Sequence, residues 1–153
     1  MLREMKWLTK KFEALSPQEI YKIWHIRELV FIVEQNCVYL DCDGKDLSAK
    51  HLMGFDGSRL VAYLRVTPPG SRFPEYSLGR ILTHPDVRGT GIGKELMRRG
   101  IEYIKKNYGE QPIRISAQAH LKRFYSSFGF QQVSEEYLED EIPHIEMLLD
   151  NSV

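Results

Sequence analysis

Arg88-Gly89-Thr90-Gly91-Ile92-Gly93 is the stretch of this chain best suited to holding an anion. At a helix start the first main-chain N–H groups have no partner inside the helix and the macrodipole is positive. A phosphate or diphosphate can collect several N–H bonds there, provided no Cβ blocks its approach. Glycine removes that Cβ, and Arg88 adds a fixed cation able to bind phosphate through two parallel bonds. Two other phosphate loops are excluded by the residues themselves. A P-loop ends in Gly-Lys-Ser/Thr, whereas Gly93-Lys94 is followed by Glu95 and Arg88 stands at the first glycine position. A dinucleotide fingerprint begun at Gly89 and Gly91 would need glycine where Lys94 stands.

The pocket exists only if a strand ends and a helix begins at this point. Ser77 to Thr83 reads as the strand, and His84-Pro85-Asp86 ends it, since proline cannot donate to a ladder and biases the preceding residue toward extended geometry. From Ile92 the apolar residues fall at Ile92, Leu96, Met97, Ile101 and Ile104, a helical spacing, with Gly100 offering a close-approach point on the same face. Upstream, Met5 to Phe12 suits a first strand. Ser16-Pro17-Gln18-Glu19 then supplies an N-cap, a proline at the first helical position and a glutamate three residues after the cap, predicting a helix whose stripe is Ile20, Ile23, Trp24, Val30 and Phe31. Arg27 and Glu34 fall on the same side. Charges on an apolar face either pair with one another's neighbours or border a cleft.

Residues 35–50 read as a polar loop. His51 to Asp56 and Leu60 to Thr67 then form two strands joined through Asp56-Gly57-Ser58-Arg59, a hairpin signal. Beyond the central helix come a strand at Ile113 to Ala117, a short helical stripe at Leu121, Phe124, Tyr125 and Phe128, and two last strands near 131–137 and 144–149. Strands that first pair antiparallel and then enter a βαβ unit predict an α/β fold with a mixed sheet and helices on both faces. The length suits one domain over 1–153. The 21 Lys and Arg balance 21 Asp and Glu, and no dense basic run is present, which argues against nucleic acid as a partner. No apolar run approaches the roughly 20 residues that span a bilayer, and the first residues lack the apolar core of a signal peptide, so no membrane partner and a cytoplasmic location are expected. Cys37 and Cys42 match neither a redox pair nor zinc half-sites and are read as free thiols.

Arg-x-x-Gly-x-Gly between a strand and a helix, followed about thirty residues later by Phe124-Tyr125-Ser126-Ser127-Phe128-Gly129-Phe130, resembles the two signatures of the GNAT (N-acetyltransferase) superfamily. Across nearly the whole chain, Arg27 to Gln35, Asp41-Cys42-Asp43-Gly44-Lys45-Asp46, His51 and Ile142-Pro143-His144-Ile145 are similar to its ElaA-like branch. The Val-Phe-x-x-Glu-Gln region is also similar to acyl-homoserine-lactone synthases, which share the fold. The resemblance implies a central, mostly antiparallel mixed sheet that splays beside the loop and admits the pantetheine arm of acetyl-CoA. Ile81, Leu82 and Thr83 would bond that arm through their main chain, and Arg88, Gly89, Thr90, Gly91, Ile92, Gly93, Lys94 and Gln118 would complete the cofactor site. The implied partners are acetyl-CoA and an amine acceptor, with the protein a monomer or homodimer.

Attack of an amine on a thioester sets three demands. A lysine-type amine of pKa about 10.4 costs roughly 4.6 kcal/mol to deprotonate at pH 7, an α-amine of pKa about 8 only roughly 1.4. The oxyanion needs a donor, for which a main-chain N–H of the strand before the loop is the first candidate. The leaving thiolate needs a proton, and Tyr125 stands where the resemblance places the acid. Tyr125 also lies on the apolar stripe of its helix, which suits a buried structural tyrosine equally. For the base the residues offer Glu34 and His120 ahead of His51 and His144. Arg27, Glu34, His51, Arg80 and His144 are the acceptor-side candidates. Arg80 alternates with Leu78 and Leu82, so it is expected on their face, binding an acceptor carboxylate or pairing with an acidic neighbour. Asp41-x-Asp43-Gly44-x-Asp46 lacks the glycine and glutamate positions of an EF-hand, so no metal is expected. It reads instead as a solvated acidic loop at the acceptor mouth, able to favour a cationic substrate. Two other readings stay open: a non-catalytic acyl-CoA-binding module, and acyl-homoserine-lactone-type acyl transfer.

Overall fold

The computed structural model describes residues 4–150. Strand β1 (Met5–Lys11) leads to helix α1 (Pro17–Arg27), which starts where the sequence predicts. Ser16 Oγ accepts from Glu19 N–H at 3.1 Å, while Glu19 Oε1 accepts from Ser16 N–H at 2.8 Å. Two otherwise orphaned donors are satisfied reciprocally. The helix continues as a wider π turn over Glu28–Glu34. Three antiparallel strands follow, β2 (Lys50–Asp56), β3 (Arg59–Thr67) and β4 (Ser77–Thr83), and then helix α2 (Ile92–Tyr108). The chain ends in β5 (Ile113–Gln118), the short helix α3 (Lys122–Ser126), β6 (Gln131–Gln132), β7 (Tyr137–Glu139) and β8 (Ile142–Leu149). The region expected to hold two last strands thus holds three.

The strands form two antiparallel sheets, ordered β1-β2-β3-β4 and β5-β8-β6, with β7 also on β8. A parallel bridge between Tyr76 and Ile113 joins them, with Arg114 N–H donating to Tyr76 O at 2.9 Å. Beyond that bridge β4 and β5 are not paired, which is the splay that the family resemblance implies.

Helices α1 and α2 cover opposite faces of the first sheet. Ile23, Ile26 and Val30 pack with Met53, Tyr63 and Leu82; on the opposite face, Leu96, Met97 and Ile104 pack with Leu64, Val66 and Leu78. Trp24, expected on the α1 stripe, is 39 % exposed. Leu78 and Leu82 lie in different cores because β4 is bulged. Tyr63 pairs with Leu82 and Arg65 with Gly79, so Arg80 and Ile81 together stand opposite Leu64. One extra residue flips every later side chain to the other face, so the expectation that Arg80 shares a face with both leucines is corrected.

Gly100 is the close-approach point. A Cβ there would lie 2.9 Å from Leu64 Cδ2 and 3.3 Å from Leu78 Cδ1. Gly100→Val should therefore destabilise the protein by about 1–3 kcal/mol through overpacking, read as a lower urea midpoint at unchanged slope. Among the described residues no helix is long and apolar enough to cross a membrane.

Candidate active site

The loop after β4 is built as its residues require. Pro85–Val87 makes one 3-10 turn, capped by His84 Nδ1 accepting from Asp86 N–H at 3.1 Å. Gly89 and Gly91 follow at φ +80° and +87°, left-handed geometry that suits glycine. No atom lies within 4 Å of where a Cβ would stand on either. Gly91 caps α2 without a side-chain bond, and among the described residues no protein acceptor takes the N–H of Gly89, Gly91 or Gly93. Ile92 is buried as the first helical residue, and Thr90 bonds its hydroxyl to Val87 O. Lys94 extends from the first turn into solvent. The cradle is open and its donors are unspent.

Arg88 is paired within the protein, which corrects the reading of Glu34. Both of its terminal nitrogens bind Glu34, at 2.7 Å to each carboxylate oxygen, and Nη2 also donates to Thr83 O at 3.2 Å. The guanidinium holds the Glu34 carboxyl below the usual carboxylate range. Glu34 is thus a partner of Arg88, and a carboxylate already paired on both oxygens is a poor general base.

The divergence of β4 and β5 opens a cleft of about 120 Å³. Gly79, Arg80 and Ile81 line it from β4, Ser116 and Gln118 from β5, and Tyr125 from α3. Past Tyr76, the edge of β4 that faces β5 has no paired strand, leaving main-chain groups available to an extended ligand arm. Leu82 itself pairs with Tyr63 and Thr83 with Ala62. Tyr125 is 5 % exposed, with its ring edge-on to Phe124 and Phe130. Burial raises its phenol well above the ordinary tyrosine value, so it stays protonated through the neutral range. Cys37 lines the same cleft, and its thiol donates to Asp140 O at 3.2 Å. Burial raises that thiol too, which disfavours the thiolate.

Of the acceptor-side candidates, Arg80 and His144 reach the cleft, whereas Arg27 and His51 lie within the protein. His51 Nε2–H donates to Asp46 O at 2.9 Å and Nδ1 accepts from Tyr63 Oη–H at 2.6 Å. Burial lowers its pKa, and with both nitrogens used the neutral ring has nothing left for a substrate. Arg27 is fully buried and spans Asp41 and Asp46, each at 2.7 Å. His144 Nδ1–H donates to Ile142 O at 2.7 Å, which turns Nε2 toward Glu139 at 3.4 Å. His120 is exposed on the turn Ala119–Leu121, away from the cleft lining, which removes it as a candidate base.

The acidic loop also differs from expectation. Asp41, Asp43 and Asp46 are the counterions of three arginines. Arg65 binds Asp43 at 2.6 Å and Asp46 at 3.0 Å, and Arg80 Nε lies 2.8 Å from Asp41. Three carboxylates against three guanidinium groups leave no net charge to attract a cation. Arg65 escaped the sequence reading, although an arginine in the run Leu60-Val61-Ala62-Tyr63-Leu64-Arg65-Val66 was the available signal. Thr67 Oγ1 and Arg65 Nε are buried and have no hydrogen-bond partner among the described residues.

The family model of the GNAT acetyltransferase domain matches residues 17–150. A UPF0039 protein of Synechocystis sp. is 40 % identical over 146 residues, covering 95 % of both chains. The ElaA protein of Escherichia coli is 38 % identical over 145 residues, covering 94 % of this chain and 95 % of its own, and its crystal structure superposes with a TM-score of 0.91. The crystal structure of an acyl-CoA N-acyltransferase from Pseudomonas aeruginosa is 37 % identical, covers 95 % of this chain and 99 % of its own, and gives a TM-score of 0.90. The chain therefore belongs to the GNAT acetyltransferase superfamily, in its ElaA-like branch.

Proposed function

We propose that this protein transfers an acyl group, acetyl in the first instance, from the thioester of coenzyme A to an amine by direct attack. The observation that carries the reading is adjacency. An open cradle of main-chain N–H groups at the start of α2 follows β4 in the chain, and the unpaired stretch of β4 at Gly79, Arg80 and Ile81 lines the same cleft as Tyr125. The diphosphate would sit on the amides of Gly89 to Gly93, and the pantetheine arm would lie along β4. The thioester would then end near Tyr125. Acyl-CoA supplies the activated carbonyl; the chain supplies position, N–H donors and a proton. Holding amine and thioester together in one cleft is itself a large part of the rate. Tyr125, kept neutral by burial, can donate its proton to the departing thiolate. Cys37, with its thiol on Asp140 O, is not poised as a nucleophile, which favours transfer without a covalent enzyme intermediate.

The direct test is thiol release from acetyl-CoA across a panel of amines, with acylated products identified by mass spectrometry. Turnover that rises with a particular amine supports the enzyme. Tight coenzyme binding with no transfer to any amine would sink it in favour of a binding module. The cradle has its own test. Arg88→Ala combined with Gly91→Glu should weaken coenzyme A binding tenfold or more by calorimetry. The pair removes a cation and adds an anion, and it leaves Glu34 uncompensated beside the diphosphate. Unchanged affinity would remove the cradle from the mechanism.

A further inference from the structure

We propose that Arg80 is a positioning residue for acyl-CoA: it clamps the β4 bulge in the shape that turns the strand's main chain toward the cleft. Arg80 has φ +49°, in the left-handed region that a non-glycine residue seldom adopts inside a strand. It is also one of the two residues that stand opposite Leu64. Its backbone conformation is therefore unfavourable by itself, and something must hold it there.

Every polar contact of its side chain runs to one segment. Nε lies 2.8 Å from Asp41 Oδ1 and Nη2 lies 3.5 Å from Asp43 Oδ2. Nη2 also donates to Asp41 O at 2.9 Å, and the guanidinium stands over the Tyr39 ring at 5.7 Å. Tyr39 in turn donates its phenol to Asp41 Oδ1 at 3.0 Å. That segment is anchored independently. Arg27 of α1 holds Asp41 and Asp46, while Arg65 of β3 holds Asp43 and Asp46. The buried network thus fixes the loop, the loop fixes Arg80, and Arg80 fixes the bulge. Because Asp41 and Asp43 already neutralise Arg80, its task is geometric rather than the capture of an acceptor anion.

The inference rests on the acyl-CoA reading, and one titration separates the two. Acetyl-CoA carries the pantetheine arm that would lie along β4; phosphoadenosine diphosphate carries only the part that would reach the glycine loop. Arg80→Ala should weaken acetyl-CoA tenfold or more by calorimetry and leave phosphoadenosine diphosphate within about twofold, because only the arm meets the bulge. Arg80→Gly, which accepts a positive φ without strain, depends less on the clamp and should stay folded and lose less acetyl-CoA affinity than the alanine variant. Arg80→Lys, still able to reach Asp41, should recover most of the affinity. Acetyl-CoA binding at the unaltered level by the alanine variant overturns the clamp, and so does an equal loss for both ligands or a glycine variant that binds acetyl-CoA more weakly than the alanine one. If the unaltered protein binds neither ligand, the coenzyme reading fails and takes this inference with it.

Discussion

Replacing Tyr125 by phenylalanine should lower acyl transfer on the order of 10²–10⁴ in turnover while leaving acetyl-CoA affinity within about twofold. The substitution removes one hydroxyl and keeps the ring, so the edge contacts to Phe124 and Phe130 and the burial of the ring survive. Among the described residues no protein group takes the Tyr125 hydroxyl in a hydrogen bond, which leaves it available to the cleft. A proton donor must be protonated to act. Burial raises the phenol above its ordinary value, so the donor form persists through neutral pH and any alkaline loss due to this group begins well above it. The check is kcat and KM from thiol release, using whichever amine of the panel turns over, beside calorimetric acetyl-CoA affinity. Loss confined to kcat marks an interaction made only in the transition state. Full activity in the phenylalanine variant would leave Tyr125 as a core residue and the thiolate without its donor.

Features set by neighbours in the chain were legible before the structure. The capping box needs Ser16 and Glu19 three residues apart, the left-handed glycines need only their own missing Cβ, and the helical spacing of Ile92, Leu96, Met97 and Ile104 declares its buried face. Even the close approach at Gly100 follows from its place on that face. The misreadings share another cause: their partners are distant in sequence. Glu34 and Arg88 are 54 residues apart, Arg65 and Asp43 are 22, and Arg27 and Asp46 are 19. Alternation along β4 placed Arg80 beside Leu78 and Leu82, but alternation holds only while register does, and a bulge depends on how the partner strand pairs. Acidic residues in a loop between a helix and a strand read as solvated until the arginines of α1, β3 and β4 converge on them. The cradle was therefore readable as a local object, whereas the acceptor side, assembled from α1, the loop and both sheets, was not.

That convergence makes Asp46 the most sensitive charge in the fold. Asp46→Ala should lower stability by about 3–5 kcal/mol, because it strips two buried guanidinium groups of a shared partner. Arg27 is 0 % exposed and binds Asp46 Oδ1 at 2.7 Å, and Arg65 binds the same oxygen at 3.0 Å. Replacing both sides of such a pair with apolar groups can be neutral. Removing one side leaves buried charge that water cannot reach. The main chain of Asp46 also accepts from His51, but alanine keeps that carbonyl, so the loss reports the carboxylate. For a chain of this length the melting midpoint should fall by roughly 6–20 °C. The pH dependence has a definite sign. Burial raises the Asp46 pKa, but the bonds and charges of Arg27 and Arg65 outweigh it and leave the carboxyl below its unfolded value. Asp43 is held low in the same way, chiefly by Arg65 against its own desolvation. Depressed folded values contribute stability that is complete above the unfolded carboxylate pKa near 4 and is lost as pH falls through the folded values. The unaltered protein should therefore lose stability steeply below about pH 4, and Asp46→Ala should show a shallower slope because it carries one linked carboxylate fewer. Urea unfolding of both proteins from pH 7 down to pH 3 measures the midpoint and the slope together. Equal stability at pH 7, or parallel acid slopes, would mean that Arg27 and Arg65 do not need this aspartate.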